Sequence, residues 1–195
     1  MINQEIGDRR YEAAVRADLA LLCSQRGDHQ AACKQAQTAL ELASALGARY
    51  VEATALTRLG QALHGFADRQ EAESAYQAAL RLCRELGVET LALEPLAGLA
   101  QLALVSGDLA TARTRAHELA TALEAEVMAW ADELPRLFLS CYQVLAAAGD
   151  ARAVQVLGVA CARLHRQASQ ISDATCRRAF WEDVPAHRAL LAAHT

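Results

Sequence analysis

The chain has 195 residues and a formal net charge of −4, a balance that argues against a general nucleic-acid or anionic-membrane surface. Hydrophobic residues make up 53% of it and aromatics only 5%, so its core must be built from alanine and leucine rather than rings. No stretch approaches the roughly 18 consecutive apolar residues of a membrane span and no signal peptide opens the chain, so the expected location is cytoplasmic.

Taken in order, the chain reads as helical hairpins of one design. Ile6-Gly7-Asp8-Arg9 falls 40 positions before Leu46-Gly47-Ala48-Arg49, so Met1–Gly7 reads as the tail of an earlier second helix. The array is then expected to begin partway through, inside a longer protein or with a partner over its exposed end. Tyr11, Val15, Leu19 and Leu22 would form an uncovered apolar face, and a homodimer through that N-terminal face is one expectation.

Helix pairs follow at Arg9–Arg26 with Asp28–Leu46, Ala48–His64 with Asp68–Leu86, Glu89–Ser106 with Asp108–Glu126, and Pro135–Ala148 with Asp150–Gln167. Asp28, Asp68, Asp108 and Asp150 stand where each second helix begins, where a carboxylate accepts orphan N–H groups and meets the positive end of the dipole. Proline is tolerated in a first turn but not inside a helix. Pro95 and Pro135 therefore predict late starts, with irregular lead-ins at Thr90–Glu94 and Trp130–Leu134. Ser172-Asp173 can cap a helix over Ala174–Glu182, and Pro185 at N1 opens another to His194.

The repeat spacing carries the fold. Leu59-Gly60, Leu63, Ala72, Tyr76 and Ala79 set the pattern; at a shift of 40, Leu19, Ala32 and Ala39 precede it in register and Leu99 and Ala112 follow. This pattern resembles the tetratricopeptide repeat, with a period longer than the usual 34. The resemblance implies an all-α, right-handed α-solenoid of about four helix hairpins. The units are about 8–47, 48–87, 88–127 and 128–168, with a C-terminal helical cap at 169–195. Leu59, Leu63, Ala72, Tyr76 and Leu80 are expected in the core.

From Leu93 onward, Cys141-Tyr142-Gln143-Val144-Leu145, Ala148-Gly149-Asp150 and Arg177–Arg188 resemble the C-terminal region of bacterial STAND-class ATPase regulators. That resemblance implies a sensor array in a larger signalling or transcription regulator. No Gly-x-x-x-x-Gly-Lys-Ser/Thr loop is present in this chain, so it offers no such cradle for a triphosphate.

Catalytic signals are thin. The six cysteines form no Cys-x-x-Cys pair, and cysteine on alanine-rich helices packs as a small hydrophobe. Cys161 and His165 share a helix face at metal-ligand spacing, but nothing nearby in sequence completes a set. No catalytic residue, metal or cofactor is expected. Glu118, Glu124, Glu126, Asp132 and Glu133 make one junction acidic, while Arg163, Arg166, Arg177, Arg178 and Arg188 make the C-terminal end basic.

The first helices of such arrays line the concave surface. Gln61, Gln101 and Gln143 are equivalent there by register, with Thr57 and His64 flanking Gln61. Amides offer both donor and acceptor to an extended peptide. The expected function is non-catalytic binding of a protein or peptide, including other domains of the same polypeptide. The alternative is a small-molecule effector held in the groove. Alanine at the three glutamines is expected to leave stability nearly unchanged.

Overall fold

The computed structural model describes residues 2–124 and 134–194, with side chains from Asp8 onward. Among them every regular element is helical: α1 (Ile2–Gln25), α2 (His29–Ala45), α3 (Arg49–Gly65), α4 (Arg69–Leu86) and α5 (Glu89–Val105). They are followed by α6 (Leu109–Glu124), α7 (Leu134–Ala147), α8 (Arg152–Gln170), α9 (Ala174–Glu182) and α10 (Pro185–His194). The chain divides into two compact units, Met1–Leu102 and Ala103–Thr195, so a unit boundary falls inside α5.

The helix ends follow local chemistry. Asp28 accepts from Ala31 N at 3.0 Å, Asp108 from Thr111 N at 3.0 Å and Asp173 from Cys176 N at 2.7 Å, each filling an orphan donor. The turns close with a left-handed residue, glycine at positions 27, 47, 87, 107 and 149. Between α3 and α4 that place is taken by Ala67, whose φ of 61° is the one positive value on a described non-glycine residue.

Hydrogen bonds from the Thr111 side chain first, and then from the Thr111 backbone N–H, hold the Asp108 carboxyl below the usual carboxylate range. A depressed folded-state value adds stability above the unfolded aspartate range, and that stability fades as pH falls through the folded value. Asn caps as well as Asp but does not titrate. Asp108→Asn is therefore expected to narrow its Tm difference from the parent as pH drops from 5 to 2, read by circular dichroism at 222 nm. A constant difference would refute that role.

In the first unit α1 packs on α2 and α3, α2 on α3, and α3 on α4. The contact surfaces are small: Ala17, Ala39 and Ala55 meet with Leu40 beside them. A second cluster joins Ala53, Leu82 and Cys83, with Leu56, Leu86, Leu91 and Ala92 against it. The largest intrusion is Tyr76, 2% exposed, whose ring lies against Gly60 of α3 and Gly98 of α5. A Cβ on Gly60 would come within 2.7 Å of that ring, and one on Gly98 within 2.3 Å.

In the second unit α7 packs on α6 and α8, and α10 on α7, α8 and α9. Phe138, Val144, Leu145, Val156, Leu164 and Leu190 are buried there. Helices α9 and α10 occupy the spans that their capping signals predict.

Two expectations fail. The chain does not turn at Gly7: α1 runs unbroken from Ile2 to Gln25, because a helix tolerates an interior glycine at a cost of about 1 kcal/mol. Nor is there an irregular lead-in at Thr90–Glu94. Helix α5 starts at Glu89 and carries Pro95 inside it, with the ring buried. The roughly 3 kcal/mol cost of an interior proline is set against burial of Leu93, Leu96, Leu99 and Leu102 on the same helix. The described part of α7 runs from Leu134, so the late start expected at Pro135 falls on residues outside those described. Residues 130–133 of that lead-in, and Glu126, Asp132 and Glu133 of the acidic junction, lie outside the described residues.

Candidate functional site

The five groove candidates meet different fates. Thr57 is 3% exposed and its hydroxyl donates to the Ala53 carbonyl at 2.9 Å, so it offers nothing to a partner. Serine and threonine on helices often satisfy their hydroxyl in this way. Gln61 is half-buried and its amide is engaged at both ends. Its Nε2 donates to Glu94 Oε2 at 2.8 Å, and its Oε1 accepts from Arg58 Nη1 at 3.2 Å.

Arg58 and Glu94, which sequence reasoning overlooked, are the centre of this cluster. The Arg58 guanidinium grips the Glu94 carboxylate through both terminal nitrogens, Nη1 to Oε2 and Nη2 to Oε1, the latter at 3.1 Å. Arg58 is only 7% exposed, so a charge on α3 is neutralised by one on α5 in a largely dry setting. A sequence signal exists: Glu94 lies 36 positions after Arg58, one helical turn short of the 40-residue repeat.

His64 is half-buried, and desolvation with the nearby Arg69 charge holds its imidazole below the ordinary histidine range. Gln101 is half-buried in the first unit. Gln143 is exposed on α7 in the second unit. The structure thus brings Gln61 together with Arg58 and Glu94, not with a row of free amides. Alanine at Gln61 is accordingly expected to cost more than an exposed substitution would.

The opposite side of α3 is apolar. Leu56, Leu59 and Leu63 line an open cleft of ≈ 630 Å³ with Ala75 and Ala78 of α4. Leu59 and Leu63 are therefore half-buried rather than sealed between helices, because the small α4 residues opposite do not fill the space. Ala72, Tyr76 and Leu80 are in the core as expected.

The second unit carries its own polar lacing. His117 Nε2 donates to Asp150 Oδ2 at 2.8 Å, and Arg152 Nη1 donates to His117 Nδ1 at 3.2 Å, which fixes the Nε2–H tautomer. Arg152 also reaches Thr121 and Glu124, tying α6 to α8. Arg163 donates to the Leu123 carbonyl at 3.1 Å and lies over the Phe138 ring. The basic C-terminal end is thus partly spent on internal contacts.

The cysteines pack more than they react. The Cys141 thiol donates to the Ala116 carbonyl at 3.3 Å and burial pushes it up to about 12. Burial likewise pushes Cys83 to about 11. Cys176 departs from the expectation, being exposed on α9. Cys161 faces the Leu190 carbonyl while the His165 ring meets Trp181 at 5.0 Å, so those two do not converge on one point. Among the described residues no group of three or more His, Cys, Asp or Glu is placed to hold a metal, and no helix is long and apolar enough to cross a membrane.

Residues 10–85 match the family model of the tetratricopeptide repeat. The fold is similar to that in the crystal structure of BtubC (BKLC) from P. vanneervenii, with a TM-score of 0.64 and 19% identity over 83% of this chain. The match spans 66% of the BtubC chain and carries the fold alone. No curated protein matches. The paired helices and both likenesses fit an all-α helical-repeat solenoid.

Proposed function

We propose that this chain is a non-catalytic protein-binding module that receives an extended partner segment along the polar side of its first helices. Tetratricopeptide repeats generally mediate protein–protein interactions. The observation that carries the reading is the Arg58–Glu94–Gln61 cluster. It fixes polar groups of α3 and α5 in one arrangement in which Gln61 and Glu94 stay partly exposed, and a pre-set surface loses little conformational freedom on binding. His64 and Gln101 in the first unit are the proposed contacts, with Gln61 bracing rather than touching the partner. The resemblance of residues 93–195 to STAND-class regulators supports placing the module within a larger signalling or transcription regulator.

Selection of displayed extended peptides on the immobilised protein tests this. Bound peptides are expected to lose affinity about 2- to 13-fold with Gln101→Ala, a lost hydrogen bond being worth about 0.5–1.5 kcal/mol. Equal binding by parent and variant at matched Tm would refute the site.

A further inference from the structure

Helix α1 is inverted with respect to size. Its inner face is made of Ala13, Ala17 and Ala20, all 0% exposed. Its outer face carries Tyr11, Val15, Leu19 and Leu22 at 73%, 37%, 42% and 51% exposure. At 100° per residue these four fall within a stripe about 80° wide. Scattered apolar residues on a surface need no explanation, but a continuous stripe of large ones marks a contact.

The repeat itself indicates what that face does. On α3 the residues 40 positions on are Val51, Ala55, Leu59 and Ala62, of which Ala55 and Ala62 are buried. Ala55 packs against Ala17 and Ala39, so this face of a first helix is where other helices are received. On α1 alanine gives way to valine and leucine, side chains that need a wider neighbour.

The charges at the two ends of the stripe select the occupant. Asp8 and Arg26 lie in line with it, each 20° from Val15 on the helical wheel, one at either end. Both are exposed. An antiparallel second copy of α1 brings Tyr11 opposite Leu22, Val15 opposite Leu19, and Asp8 opposite Arg26, each pair occurring twice about the two-fold axis. A parallel copy would set Asp8 against Asp8 and Arg26 against Arg26. We propose that the chain forms a two-fold homodimer through antiparallel packing of α1 on α1.

Sedimentation equilibrium across about 1 to 300 μM tests this on the full chain. The parent is expected to dimerise, and Leu19→Asp to raise the dissociation constant at least 30-fold with its helix content unchanged. Asp8→Arg and Arg26→Asp should each weaken the dimer at least 5-fold, while the double exchange restores it to within about 2-fold of the parent. A parent that stays monomeric throughout overturns the proposal and leaves the stripe to helices of another protein. Failure of the double exchange to restore dimerisation overturns the antiparallel pairing. Peptide selection on the α3 and α5 surface reads out independently of either result.

Discussion

Gly98→Ala is expected to destabilise the first unit by about 3 kcal/mol, the upper end of what overpacking costs. The new methyl would sit 2.3 Å from Cζ of Tyr76, far inside contact distance. A ring tip elsewhere would swing away. Here it cannot, since Gly60 is against the same ring and would itself bring a Cβ to 2.7 Å. The ring is 2% exposed, so there is no solvent side to move toward. Helices α3 and α5 must therefore separate, or the tyrosine must leave the core. Thermal unfolding of Gly98→Ala against Gly98→Ala/Tyr76→Leu discriminates: the smaller side chain should return part of the loss. A variant as stable as the parent would mean that the helices slide freely at this point.

Glu94→Ala is expected to cost about 3 kcal/mol. The reason is the charge it leaves behind rather than the bond it removes. Arg58 is 7% exposed and its Nε already lacks a partner among the described residues. Deleting the carboxylate strands a guanidinium with Gln61 alone, and an uncompensated buried charge typically costs 3–5 kcal/mol. The 22% exposure of the Glu94 side chain lets some water in and places the effect at the lower end. Arg58→Met/Glu94→Leu removes both charges and is expected to recover most of the loss, as apolar replacement of buried pairs often does. Chemical denaturation of the three proteins gives the comparison. If the double variant is no better than Glu94→Ala, packing and not charge sets the cost.

The helix boundaries were legible because they depend on neighbours in sequence. Each Gly-Asp pair supplies a left-handed turn and a cap within three residues, and the same local chemistry announced α9 and α10. The clamp on Tyr76 was half legible, since Gly60 belongs to the repeat while Gly98 does not. What the register concealed was the side-chain pairing across helices. Aligning Gln61, Gln101 and Gln143 as equivalents treats each unit as an independent copy. The Gln61 amide is instead decided by Glu94, 33 positions away, which has no counterpart in the repeat pattern. Pro95 misled for a related reason. A proline rule describes one helix in water, and α5 is held by what it buries.

Packing in the first unit runs mostly between helices adjacent in the chain, α1 with α2, α2 with α3 and α3 with α4, and otherwise between helices two apart, such as α1 with α3. The loops that must close to form such contacts are short, and closure entropy grows with their length. Low contact order of this kind goes with folding on the microsecond to millisecond scale. It also lets folding nucleate in any hairpin and spread to the next, so that the array melts by fraying from an end as readily as it collapses at once. Hydrogen exchange should then register a gradient of protection along the unit rather than one common value.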